Sequence, residues 1–117
     1  MYYTHCFDND KLAIALHGEI DHHAMRLIRS EIDGLIEKLV PRLLVFDLSD
    51  IVFCDSSGLG FLMGRYKKIS ALGGMMYIYA PSEAVRKILS LSGMDRLIKI
   101  KEADRKDTVK GFYGGEL

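Results

Sequence analysis

The sequence has no tryptophan, and only two cysteines and two prolines among its 117 residues. It also has no surplus of either charge, since sixteen lysines and arginines face sixteen aspartates and glutamates. Each shortage excludes something. Cys6 and Cys54 are neither a disulfide framework nor a zinc spacing, which favours a reducing compartment. A net charge of zero argues against bulk attraction to nucleic acid. No apolar run approaches the roughly 18 residues that span a bilayer. The opening "MYYTHCFDNDK" lacks the charged region and apolar core of a signal peptide. The expectation is a soluble, cytoplasmic protein that meets protein partners, with no nucleic acid and no membrane.

What is present is an ordinary globular composition, with 49% hydrophobic and 27% charged residues. The length fits one domain, residues 1–117, with 110–117 as a frayed tail. "YYTHCF" (Tyr2 to Phe7) predicts a strand, Asp8 to Asp10 a turn, and "KLAIALHG" (Lys11 to Gly18) a second strand. In that second strand Leu12, Ile14 and Leu16 face a core, with Ala13, Ala15 and His17 opposite. So short a turn predicts an antiparallel hairpin. Asp21 caps a helix to about Leu39, in which Met25, Ile28, Ile32, Leu35, Ile36 and Leu39 share one face before Pro41 ends the element.

"RLLVFDL" (Arg42 to Leu48) has the near-continuous apolar character of a strand buried on both faces. A helix follows Ser56 and stops at "LGG" (Leu72 to Gly74), and "MMYIYA" (Met75 to Ala80) is another strand. Pro81 and Ser82 open a short helix with Val85, Ile88 and Leu89 inward, closed at Ser92 and Gly93. "RLIKI" (Arg96 to Ile100) is the last strand and "DRKDTVKGFY" (Asp104 to Tyr113) a final helix. The order β-β-α-β-α-β-α-β-α predicts an α/β domain: a mixed, mostly parallel sheet, an N-terminal antiparallel hairpin and about four helices. Loops leaving the carboxyl ends of the strands gather along one edge. "GEIDHH", "LSDIVFCDSSG" and "APS" should therefore be neighbours there, with Asp21 near Ser56.

The junction "CDSSGLG" (Cys54 to Gly60) permits three readings of Ser56. It is a helix cap, a nucleophile that needs a base and an oxyanion hole, or the acceptor of a phosphoryl group at the positive end of a helix. Gly58, Gly60 and Gly64 each cost about 0.8–1 kcal/mol in a helix relative to alanine. Close packing on the sheet would account for Gly64. For Gly58 and Gly60 the approach of another protein is an equal alternative. His22 and His23 diverge on a first helical turn, so metal binding is not expected. Cys54 is read as an apolar filler rather than a reactive thiol. Asp47 interrupts a buried strand and needs a partner. "RYKK" (Arg65 to Lys68) and "DRK" (Asp104 to Lys106) are read as solvated faces.

"GEIDHH", followed about thirty residues later by "DSSGLGFLMGRYKKI", resembles the anti-sigma factor antagonists of spore-forming bacteria. These are small stand-alone STAS domains, and the likeness points to the sporulation (anti-sigma-F) branch. The resemblance covers nearly the whole chain; Cys54 in place of Met and Ile20 in place of Leu are its departures. It implies a protein that is not an enzyme, has no catalytic, cofactor or metal residues and is monomeric when free. Such a protein binds an anti-sigma factor that is itself a serine kinase and so releases the sigma factor. The kinase uses ATP to phosphorylate the serine at position 56, the modified protein lets go, and a serine phosphatase resets it. The resemblance places the partner interface at Asp21, His22, Asp55, Ser57, Gly58, Leu59 and Gly60. A general-stress antagonist, another STAS regulatory subunit and, more distantly, a small serine hydrolase-like enzyme are the rivals.

Overall fold

Asn9 and Asp10 both have positive φ, 51° and 63°. That conformation twists a two-residue turn to suit an antiparallel hairpin. It joins β1 (Tyr2–Asp8) to β2 (Lys11–Ile20), paired from Tyr2 opposite His17 to Asp8 opposite Lys11. The computed structural model describes residues 1–103, so the expected final helix, the frayed tail and "DRK" lie outside the described residues. The remaining elements are α1 (His22–Leu39), β3 (Leu43–Cys54), α2 (Ser56–Ala71), β4 (Met75–Tyr79), α3 (Glu83–Ser92), a 3-10 turn (Met94–Arg96) and β5 (Lys99–Lys101). The sheet runs β1-β2-β3-β4-β5, antiparallel in its first pair and parallel in the rest.

The expected face of β2 is the core face. Leu12, Ile14 and Leu16 are buried in one cluster with Leu44, Phe46, Leu48 and Ile78 of the neighbouring strands. Met25, Ile28, Ile32 and Ile36 of α1, Phe61, Leu62 and Ile69 of α2, and Val85 and Leu89 of α3 join the same cluster. All three helices therefore pack on one face of the sheet. Ala13, Val45, Tyr79 and Ala80 form a second buried cluster, on the opposite side as the alternation along a strand requires. Asp47 finds the partner it needed two residues on, accepting from the Ser49 amide at 3.0 Å and the Ser49 hydroxyl at 2.7 Å.

Besides shifts of one or two residues, as where β2 runs to Ile20 rather than Gly18, two boundaries differ from expectation. The last strand starts at Lys99, because Gly93 turns left-handed and Met94 to Arg96 take up a 3-10 turn first. More consequentially, β3 does not stop at Leu48 but continues to Cys54. Its pairing with β4 ends at Asp47 opposite Tyr79, so β3 runs on for roughly 20 Å at about 3.3 Å per residue. The loop at Ala80 to Ser82 is tied back at that lower level, Ser82 N donating to Leu48 O at 3.0 Å. The third of the three loops expected to meet thus falls well short of the other two.

Candidate functional site

The pairing of β4 stops at the level of Ala15 and that of β1 at His17; beyond both, β2 and β3 carry on and end together, Ile20 opposite Cys54. The Asp55 amide closes the pair by donating to Ile20 O at 3.2 Å. Each strand then turns directly into a helix, so the first turns of α1 and α2 stand side by side. This brings the Asp21 and Ser56 regions together, as the topology predicted. Asp21 caps α1, its carboxylate accepting from the Ala24 amide at 2.8 Å. His22 is the exposed first residue of that helix.

Asp55, rather than either serine, caps α2. Its Oδ1 accepts from the Ser57 amide at 2.9 Å, and the Ser57 hydroxyl donates to the same oxygen. Ser56 is the exposed first residue of α2, and its hydroxyl has no hydrogen-bond partner among the described residues. The sequence left cap and acceptor as competing roles for Ser56. In the fold the capping role goes to Asp55, because the carboxylate one position earlier takes the orphan amide. Ser56 is free at the positive end of a 16-residue helix.

The Ser57 hydrogen bond holds the Asp55 carboxyl below its ordinary range, helped by the Ser57 and Gly58 amides and by His22, and opposed by burial. A lowered pKa means that the unfolded chain takes up the proton first. The stabilisation is therefore present above the ordinary value and lost as pH falls through the lowered one. Asp55→Ala is expected to lower the unfolding free energy by about 1 kcal/mol at neutral pH, the usual cost of a lost cap. In urea titrations the gap to wild type should close as acid protonates the wild-type carboxyl. A gap of constant size across that range would refute the capping role.

The glycines divide differently from expectation. A Cβ on Gly58 would lie 2.5 Å from Cys54 Sγ and 2.7 Å from Ile20 Cγ2, whereas at Gly60 and Gly64 it would meet nothing within 4 Å. Gly58 is thus the residue that lets α2 close onto the strand ends. It is buried, so glycine is required there by the fold itself. Gly64, expected to make that close approach, does not. Leu59 is half-buried against the core and Gly60 is exposed. Cys54 acts as the filler it was read to be: burial, then the neighbouring Asp55 charge, pushes its thiol up to about 11. It is therefore protonated and weakly nucleophilic at neutral pH.

Sequence reading missed a groove of about 310 Å³ between α1 and α2, to which Arg26, Arg29 and Arg65 contribute together with Ser57, Gly60 and Gly64. Arg65 corrects the reading of "RYKK" as a solvated face. It is only 8% exposed, lies over the Phe61 ring at 4.9 Å and brings its Nε within 2.8 Å of Asp33 Oδ1. Arginine on a helix is solvated by default, and nothing local marks this one as buried. Elsewhere His17 makes a 2.8 Å contact with Asp50, stacks on Tyr2 and lies 3.4 Å from the Thr4 hydroxyl. That histidine is engaged on the strands and not at Ser56. Among the described residues no group of three or more His, Cys, Asp or Glu is arranged to hold a metal, and no helix is long and apolar enough to cross a membrane.

Comparison with known proteins gives a consistent likeness. The family model for the STAS domain matches residues 5–106. The anti-sigma F factor antagonist of Lysinibacillus sphaericus is 32% identical over 107 residues, 91% of this chain and 92% of that one. The structure of the anti-sigma factor antagonist SpoIIAA in its unphosphorylated form matches with a TM-score of 0.78 and 27% identity over 97% of both chains. That of the Bacillus cell fate determinant SpoIIAA in the phosphorylated form matches with a TM-score of 0.72 and 26% identity, over 93% of this chain and 97% of that one.

Proposed function

The chain belongs to the STAS-domain family, and from that membership we propose that it is an anti-sigma factor antagonist switched by phosphorylation of Ser56. In this reading the unmodified protein docks on an anti-sigma factor that is a serine kinase and so frees the sigma factor. The kinase then transfers a phosphoryl group from ATP to the Ser56 hydroxyl, and the product dissociates until a serine phosphatase restores it. The protein is a substrate and a binding module without catalytic groups or cofactor of its own. It works as a cytoplasmic monomer between encounters. The likeness to a relative named for sigma F supports the sporulation branch.

One observation carries the proposal: Ser56 is exposed and uncommitted on the first residue of α2, while Asp55 does the capping. An acceptor hydroxyl must reach the kinase active site, and its phosphate must be tolerated by the fold afterwards. The helix N-terminus meets the second need, since unpaired amides and the helix dipole favour an anion there. The interface on this reading is made by Asp21, His22, Asp55, Ser57, Leu59 and Gly60 around the hydroxyl. Gly58 acts from beneath by holding α2 down on the strand ends.

Incubation with ATP, alone and with the cognate anti-sigma factor kinase, followed by intact-mass measurement and site mapping, tests this directly. No modification is expected without kinase, and a single phosphate on Ser56 with it. A phosphate mapped to Ser57 or to a threonine would overturn the assignment.

A further inference from the structure

The groove between α1 and α2 is lined at one end by His22 and Ser57, the residue next to Ser56, and is cationic. Its lining includes three arginines, Arg26, Arg29 and Arg65, and no carboxylate. Arg26 and Arg29 are exposed and form no ion pair among the described residues. Among the described residues Arg65 is the only charged one that is buried, with its side chain 9% exposed. Its contact with Asp33 is close but not aligned as a hydrogen bond, and both Nε and Nη1 lack hydrogen-bond partners among the described residues. Arginine has five donors in a planar fork, and leaving buried ones unmade costs roughly 1–3 kcal/mol per group. Burial makes Arg65 a weaker base than usual; the Asp33 charge opposes this, and Arg29 adds a smaller repulsion.

Gly60 and Gly64 leave part of the groove lining as bare backbone, beside Met25 and Phe61. Ser56, Gly60 and Gly64 are spaced by four residues, so they lie in one row along α2, and the two glycines have open space where side chains would stand. Each glycine costs helix stability without an internal packing reason. The lane thus runs from the acceptor hydroxyl, over Gly60 and Gly64, to an arginine with unused donors.

We propose that this groove receives an acidic segment of the anti-sigma factor kinase, its carboxylates set against Arg26, Arg29 and Arg65 while Ser56 enters the active site. The inference rests on the functional reading above and specifies the chemistry of the partner. It also explains why a phosphate ejects that partner. A group of −1.5 to −2 charges at the mouth of the groove repels carboxylates lying in it and competes with them for His22 and Arg26. A neutral or basic partner segment would be retained instead.

The test has two arms that fail separately. In the first, the backbone amides of Gly60 and Gly64 are followed by NMR while hexaglutamate or hexalysine is added to the full chain. Saturable, salt-sensitive shifts are expected with hexaglutamate alone, and their loss in the Arg26→Glu/Arg29→Glu double variant. In the second, kinase affinity is measured for Arg29→Glu and Gly64→Leu. At least a tenfold loss is expected for each, against no change for Lys87→Glu on α3. Folding of every variant is checked by thermal unfolding, and Gly64→Leu places its Cβ where no atom lies within 4 Å.

Absent or equal shifts with the two peptides would overturn the groove proposal whatever the kinase does. Peptide binding together with wild-type kinase affinity in both variants would overturn it as well, and leave the phosphorylation reading standing. A wild-type chain that binds hexaglutamate but no kinase would remove the functional reading, and the occupant named here with it.

Discussion

Phosphorylated on Ser56, the protein is expected to bind the anti-sigma factor kinase about a hundredfold more weakly than the unmodified chain. The estimate follows from charge. Like charges brought together at an interface cost several kcal/mol, and about 2.7 kcal/mol is already a hundredfold in affinity. Ser56→Asp, with one negative charge in place of nearly two, should lose roughly tenfold by the same conversion. Ser56→Ala should bind within about threefold of wild type, because removing an unpartnered exposed hydroxyl leaves no orphaned group behind. Equilibrium binding of the four forms at two salt concentrations checks the order. The penalty for the phosphorylated form should shrink at high salt, where exposed charges are screened. A phosphorylated form that bound as tightly as the unmodified one would end the proposal.

Alanine at two glycines of the same helix is expected to act with opposite signs. At Gly58 the new methyl group meets Cys54 Sγ at 2.5 Å and Ile20 Cγ2 at 2.7 Å, and Ile20 is fully buried. Side chains at the ends of paired strands have little room to retreat, so overpacking of about 1–3 kcal/mol outweighs the gain in helix propensity. At Gly64 no atom lies within 4 Å, so the gain stands alone and Gly64→Ala should stabilise by about 0.8–1 kcal/mol. Urea unfolding at neutral pH separates the two. Combining Gly58→Ala with Cys54→Ala should restore part of the loss by removing the nearer contact, a coupling that only touching residues show. If Gly58→Ala were as stable as wild type, α2 would not be seated on the strand ends as described.

The first helix and the hairpin were legible in the sequence because each is written in one unbroken period. Met25, Ile28, Ile32 and Ile36 repeat as a helix requires and are all buried, and Asp21 caps their helix. The second half of β3 was not legible. Ser49 and Asp50 are both exposed, Ile51 is buried, and Val52 and Phe53 are both exposed again. Register shifts against β2 break the two-residue alternation that marks a strand. Ser56 could be picked out as a candidate because the strand-to-helix junction is local. That Asp55 caps the helix in its place depends on backbone geometry that the string "CDSSG" leaves open. The groove was hidden for another reason: its arginines lie on two helices, and only packing brings Arg26 and Arg29 to Arg65. The same holds for Gly58, whose need for a bare Cα is set by Ile20, distant in sequence.

The uneven length of the strands has a mechanical consequence. Past Tyr2 opposite His17 the first strand has ended, and past Asp47 opposite Tyr79 the fourth has ended too. The sheet therefore narrows to a two-ribbon spur with Ser56 at its tip. A spur can be pushed into a concave catalytic cleft without the shoulders of the molecule striking the rim. Ile20 and Ile51 anchor the root of the spur in the main core with Met25 and Phe61, so a charge placed on the exposed tip is added outside the packed interior.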